Sequence, residues 1–220
     1  MSLMHYNPPP HSDLAFQFAD EHCLVLLKPA GLLSVPGRGI ERQDCLISRV
    51  QQYYSDALIV HRLDMSTSGL MVLARGKAME RALSIQFQQR QIHKRYVAVV
   101  AGCLAQLKGQ IELPLITDWP NRPRQKVDYT QGKAALTRYQ VLEYQAGQDC
   151  SRLLLEPETG RSHQLRVHLL SLGHPILGDE LYAPLEVQQQ AERLLLHACE
   201  LGFYHPVSGV WLEFCAEATF

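Results

Sequence analysis

The 220-residue chain predicts an α+β fold, with a central, largely antiparallel mixed sheet flanked by helices and loops. Three observations point there. Short apolar runs bounded by Gly, Pro and Asp outnumber the segments with helical periodicity. Strands and helices do not alternate regularly, which argues against a parallel βαβ sheet. The composition, 46% hydrophobic and 20% charged, is that of a globular chain with a sizeable core.

The Pro-rich opening, residues 1–11, reads as a flexible arm, and residues 12–220 as a single domain. Ala15–Phe18, an Asp-Glu-His turn and Cys23–Leu27 predict a β-hairpin. Lys28-Pro29-Ala30-Gly31 opens a loop punctuated by Pro and Gly through Gly37. A helix is expected from Asp44 to Tyr54 and another from Lys77 to about Gln91, with Leu83 and Phe87 on one face. Strand-like segments follow at Tyr96–Val100, Gln110–Ile116, Leu136–Leu142 and Arg152–Leu155. Ser162 suits the N-cap of a helix ending at Gly173. A fourth helix is expected over Val187–Leu195, then strands near Leu196–Phe203 and Val210–Phe214.

Six scattered cysteines form no C-x-x-C pair, which argues against a zinc site and a disulfide framework. No apolar run approaches the roughly 18 residues of a membrane span. The N-terminus lacks the pattern of a signal peptide, so a cytoplasmic location is expected. The net charge of -1 hides an asymmetry: residues 75–138 carry 12 Lys/Arg against 4 Asp/Glu, and residues 139–220 carry 4 against 11. A basic segment of that size is the footprint of a polyanion partner.

Four segments carry candidate chemistry. Arg62 and Asp64 lie between the apolar runs Leu58-Ile59-Val60 and Leu70-Met71-Val72-Leu73, where charge is costly unless paired or functional. A solvated salt bridge between the two would also fit this spacing. Lys94-Arg95-Tyr96 sets an aromatic at the head of an apolar strand. Glu158-Thr159-Gly160-Arg161-Ser162-His163-Gln164-Leu165-Arg166-Val167-His168 leads into a helix with two arginines near its start. His163 and His168 are five apart without an accompanying carboxylate, so packed or hydrogen-bonded histidines are expected and no metal. Asp118-Trp119-Pro120-Asn121-Arg122-Pro123-Arg124-Gln125-Lys126 interleaves cations with an aromatic on a proline-stiffened loop, a pattern suited to RNA backbone contact and stacking.

The block His61-Arg62-Leu63-Asp64-Met65-Ser66-Thr67-Ser68-Gly69-Leu70 resembles the H-R-L-D-x-x-T-S-G-L signature of the RluA family of RNA pseudouridine synthases at every fixed position. Thr159–Arg166 is similar to that family's T-G-R-x-H-Q-[IL]-R motif, and Lys94–Ala98 to its K-x-Y-x-A block. The resemblance runs from about residue 15 to the C-terminus and implies the pseudouridine synthase catalytic fold, without the S4-type RNA-binding module that many members carry. It implies that Asp64 is the catalytic carboxylate, that Arg62 helps displace the target uridine, that Tyr96 stacks on its base, and that Arg166 pairs with Asp64. Candidate RNA contacts are His61, Lys94, Arg95, Trp119, Arg122, Arg124, Lys126, Arg161 and His163. The D-W-P-N-R-P-x-Q-K run resembles the branch acting on both 23S rRNA and a tRNA anticodon stem-loop. Lys28-Pro29-x-Gly31, Leu196-His197-Ala198 and Gly178-Asp179 with Tyr182 also occur in the family, and none of them is assigned a catalytic role. An isomerisation gains and loses no group, so no cofactor, nucleotide or metal is expected, and a monomer suffices. Attack by Asp64 on C1′, attack on the base, and removal of the 2′ proton all remain open.

Overall fold

The computed structural model describes residues 6–11 and 14–220. Two compact units lie within the span expected as one domain. The first holds the chain up to His93 together with Ala198–Glu217; the second holds Lys94–His197 and Ala218–Phe220. Among the described residues, no helix is long and apolar enough to cross a membrane.

The first unit opens with β1 (Phe16–Ala19) and β2 (Cys23–Lys28), the expected hairpin. Asp20 shapes its turn, its carboxylate accepting the amides of His22 and Cys23 at 2.7 Å each. Helix α1 (Leu46–Val50), β3 (Ala57–Ile59), β4 (Ser68–Arg75) and α2 (Gly76–Gln88) follow. β4 pairs antiparallel with both β2 and β3. It is buried from Ser68 to Ala74, which explains why its sequence is continuously apolar rather than alternating: both faces are covered. Val25, Leu70, Val72, Leu201 and Phe203 form the core, with Leu83 of α2 packed into it and Phe87 at its margin.

Residues 6–11 differ from the loose arm expected; residues 1–5 lie outside the described ones. Tyr6 is buried and its hydroxyl donates to the Asp44 carbonyl at 2.9 Å. The buried Arg49 guanidinium donates to the carbonyls of Pro9 and Pro10 and to Asp44. A buried guanidinium needs acceptors on all sides, and the proline carbonyls supply two.

The second unit holds β5 (His93–Ala101), β6 (Lys108–Glu112), β7 (Leu115–Thr117), β8 (Gln125–Val127), β9 (Leu136–Gln145), β10 (Cys150–Pro157), α3 (Gln164–Ser171) and α4 (Leu185–Gln188). The order β5-β10-β9-β6 is antiparallel throughout. The strand expected over Gln110–Ile116 is interrupted at Pro114, which has no amide for a ladder; beyond it, β7 turns back on β8 as a separate ribbon. Ala98, Val100, Leu153, Leu155, Leu165 and Leu169 centre the core, so α3 packs its leucines on the sheet.

The helix expected over Val187–Leu195 is a single turn. Leu195 is drawn into extended pairing instead, donating to Leu177 O at 3.0 Å and accepting from Val99 N–H at 3.1 Å. The chain then enters β11 (Leu196–Tyr204), which forms a hairpin with β12 (Trp211–Cys215) in the first unit. The α+β class and the largely antiparallel sheet are as the sequence predicts.

Candidate active site

In the first unit, Asp64 lies on the crossing from β3 to β4, half-buried between the buried Leu63 and the exposed Met65. Its backbone is fixed from three directions. Thr67 N–H closes a turn onto Asp64 O at 3.1 Å. Ser34 Oγ donates to Leu63 O at 2.7 Å and accepts from Leu63 N–H at 3.2 Å. Gly31 N–H and Lys28 Nζ both reach Met65 O, at 2.8 and 3.0 Å. The Lys28-Pro29-x-Gly31 element is therefore more than a turn: it holds the residue that follows the motif aspartate.

Lys28 is 1% exposed, and its ammonium also donates to Pro29 O and Leu32 O. Burial pushes its pKa down to about 7, against the upward pull of the Asp64 carboxylate. Arg62 is exposed and makes no ion pair among the described residues, so the simple Arg62–Asp64 salt bridge is not formed. His61 turns inward instead of outward. Its Nε2 accepts the Val72 amide at 3.1 Å and its ring stacks on Phe87 at 4.6 Å, which accounts for the residue as a strand-end fastener.

Gly69 of the motif has a steric reason to be glycine. Its φ is +119°, and a Cβ there would meet the Ala198 carbonyl oxygen at 2.3 Å and the Ala198 nitrogen at 2.5 Å. β4 and β11 approach too closely for any side chain.

In the second unit, Tyr96 packs at the edge of the core opposite Leu155. Lys94 shares its face of β5; burial lowers its pKa, with Glu158 pulling the other way. Arg95 points to the opposite face because side chains alternate along a strand. There it approaches Glu156 at 3.5 Å and lines a groove of about 440 Å³ with Lys108, Arg138 and Tyr139. The tyrosine and the two cations before it are thus divided between two surfaces.

The Thr159–His168 motif divides its labour. Thr159 Oγ1 donates to Gln164 Oε1 at 2.7 Å and accepts Leu136 N–H at 3.0 Å, while Gln164 Nε2 reaches Leu136 O and Thr137 Oγ1 at 3.0 Å each. These residues pin the helix start to β9. Arg161 is exposed and donates through Nε to Ala134 O at 3.2 Å. His168 is fully buried between Thr137 Oγ1 and Leu113 O, and burial lowers its pKa. The N-cap is His163 in a left-handed conformation, φ 53°, rather than Ser162; the backbone turns one residue later than the capping pattern predicts.

Arg166 is 3% exposed and clasped by Asp179, Nε to Oδ2 at 2.8 Å and Nη2 to Oδ1 at 2.6 Å. Asp179 is a residue that sequence reasoning set aside. The available signal was a carboxylate in an apolar stretch, which must find a cation if buried. Tyr182, from the same Gly178-Asp179 element, accepts Gln125 N–H at 2.7 Å and lies 2.6 Å from His163 Nδ1. Arg124 and Arg166 both lie over its ring, at 5.3 and 5.0 Å. Four expected site residues or their neighbours (Arg124, Gln125, His163 and Arg166) thus meet at Tyr182.

On the loop between β7 and β8, Trp119 is 64% exposed with the Arg122 guanidinium 4.3 Å above its ring. Lys126 stands 4.0 Å from Asp128. Two groups of potential metal ligands occur among the described residues, Asp20 with Cys23 and His205, and His93 with Glu200 and Glu213. Neither includes a motif residue. In the first, Asp20 is occupied by backbone amides and His205, and burial raises the Cys23 thiol to about 12, which disfavours a thiolate ligand.

The family model described as RNA pseudouridylate synthase matches residues 22–171. The chain is 52% identical over 220 residues to the dual-specificity RNA pseudouridine synthase RluA of Escherichia coli K12, covering all of both chains. It is 53% identical over 213 residues to the protein of the same name from Vibrio cholerae, covering 97% of this chain and 86% of that one. Among solved structures, human RNA pseudouridylate synthase domain containing 1 matches with a TM-score of 0.79 at 29% identity, over 96% of this chain and 86% of that one. Human RNA pseudouridylate synthase domain containing 4 matches with a TM-score of 0.73 at 25% identity, over 93% and 88%. The chain belongs to the RNA pseudouridylate synthase family, in its RluA branch, and is an RNA pseudouridine synthase.

Proposed function

We propose that this enzyme isomerises uridine to pseudouridine in two RNAs, a tRNA anticodon stem-loop and a 23S rRNA hairpin, acting in the cytoplasm as a monomer. The observation that carries the chemical part is the motif loop, where an exposed Arg62, without a carboxylate partner among the described residues, stands two residues from a half-buried Asp64 held by its backbone. An arginine left to solvent beside a fixed carboxylate suits separate tasks, one on the RNA and one on the sugar–base linkage. The dual-specificity part is supported by Asp118–Lys126 with its exposed Trp119–Arg122 stack, and by the full-length likeness to proteins named dual-specificity.

The reaction breaks the N–C glycosidic bond, rotates the uracil and joins it again through carbon. A carboxylate, Asp64, attacks C1′ or the base, or removes the 2′ proton to give a glycal; the last is the preferred route. The target must leave the stack to expose that bond, which suits a loop uridine, with Arg62 taking the vacated space and Tyr96 stacking on the base. Pairing of Arg166 with Asp64 is part of this proposal, and would keep the acid ionised and oriented.

The test uses purified protein with an anticodon stem-loop and, separately, the rRNA hairpin, without metal or nucleotide, reading pseudouridine by carbodiimide-adduct primer extension. Product on both RNAs is expected. Product on only one would remove dual specificity and leave a single-substrate synthase.

A further inference from the structure

The start of α3 carries an unusual backbone. His163, a residue with a Cβ, sits in the left-handed region at φ 53° and ψ 20°, with no side-chain cap of its own. Such a conformation persists where neighbours hold it, and Tyr182 is the neighbour. The Gln125 amide can only donate, so the Tyr182 oxygen accepts there at 2.7 Å. Donation of the hydroxyl proton to His163 Nδ1, 2.6 Å away, would make that nitrogen an acceptor and place the imidazole proton on Nε2. Tyr182 is 6% exposed, its own amide is held by Asp179 Oδ1 at 3.1 Å, and that same oxygen accepts from Arg166. Hydrogen bonds at the two ends of Tyr182, its hydroxyl and its amide, therefore link Gln125, at the end of the Trp119–Arg124 loop, and His163 to Asp179, and through it to Arg166.

We propose that Asp179 and Tyr182 are positioning residues for the isomerisation: Asp179 fixes the Arg166 guanidinium, and Tyr182 holds His163 as a neutral Nε2 donor while fastening the basic loop to the same helix. This rests on the reading of Arg166 as the partner of Asp64, and of His163 and the loop as groups that engage the RNA. Its consequence is that seating RNA on the loop and orienting Arg166 are one event. A neutral donor at His163 suits a carbonyl or phosphate oxygen, and leaves the charge of the assembly on Arg124 and Arg166.

The test combines a spectrum with a rate. Long-range 1H–15N spectra of histidine-labelled protein at pH 7.5, with His163 assigned from its loss in His163→Gln, are expected to show Nδ1 unprotonated and Nε2 protonated. Tyr182→Phe keeps the ring against the two arginines and removes only the hydroxyl. It is expected to lose the fixed tautomer and to slow single-turnover isomerisation about tenfold, while RNA affinity changes by less than about threefold. Asp179→Asn is expected to slow turnover further with little change in KM. It weakens the buried ion pair between Arg166 and residue 179 and risks misfolding, so Tyr182→Phe decides alone where that variant fails to fold. A wild-type His163 that is cationic or protonated at Nδ1 overturns the proposal, and so does an unchanged rate in Tyr182→Phe. Wild-type protein inactive on every RNA would instead defeat the functional reading, and the histidine spectrum would still judge the coupling.

Discussion

Lys28 Nζ donates to the Met65 carbonyl at 3.0 Å, tying a fully buried ammonium to the residue after the motif aspartate. The lysine stands on β2, and its two other carbonyl partners, Pro29 and Leu32, belong to the loop that follows. One cation thus joins the two segments that shape the Asp64 turn, and its charge acts on that carboxylate.

Lys28→Met should therefore loosen the turn and change the pH dependence of stability. Native Lys28 has its pKa lowered to about 7, whereas an unfolded lysine titrates near 10.4. Between those values the unfolded chain binds a proton that the native one does not, so this lysine's contribution makes stability rise with pH, by at most about 1.4 kcal/mol per unit. Below about pH 7 both states are protonated and the contribution levels off. Urea unfolding of wild type and Lys28→Met at pH 6, 8 and 10 isolates the effect as a difference. Parallel curves would mean that Lys28 stays charged in the folded protein throughout.

Arg62→Ala separates a surface salt bridge from a residue kept for RNA. The side chain is exposed and has no carboxylate partner among the described residues, so stability should move by less than about 0.5 kcal/mol. Activity on a stem-loop should fall by at least about tenfold, which thermal melts alongside initial rates would register. A large loss of stability with unimpaired turnover would contradict the role proposed for it.

Asp64→Asn keeps the shape of the side chain and the backbone bonds of the turn, which run through Thr67, Leu63 and Met65. Pseudouridine should drop below detection with the melting temperature within a few degrees of wild type. RNA binding, followed by fluorescence anisotropy, should persist. A variant retaining even a tenth of the wild-type rate would assign the chemistry to another group.

Much of this architecture could be read from local pattern, and the exceptions share a cause. The β1–β2 hairpin, the stripe on α2 and the β11–β12 hairpin depend on spacing and turn residues that lie close in sequence. By contrast, α4 is cut short because Leu195 pairs with Leu177 and Val99, partners that no local window contains. The site divides the same way. Arg62, Asp64 and Arg166 stand in long motifs, so they could be named from sequence. That His61 accepts the Val72 amide, and that Arg166 is clasped by Asp179 thirteen residues away, follows only from tertiary contact. Arg95 was legible in part: strand alternation already sets it on the face opposite Tyr96.

Gly69 offers the last test, because another glycine provides its control. Gly69 and Gly76 both have positive φ, +119° and +74°, so any substitution at either carries backbone strain. They differ in surroundings. A Cβ on Gly76 would meet nothing within 4 Å, whereas one on Gly69 would collide with the Ala198 backbone at 2.3 Å. Backbone atoms cannot rotate away as a flexible side chain can, so Gly69→Ala must push β4 from β11 or distort the strand that follows Asp64. Gly76→Ala should cost about 1 kcal/mol, the ordinary penalty for a left-handed residue. Gly69→Ala should cost about 3 kcal/mol or more, or leave the protein insoluble. Urea midpoints of the two variants make the comparison directly. Equal penalties would show that conformational freedom alone selects glycine at this motif position, and that the close approach of β11 does not.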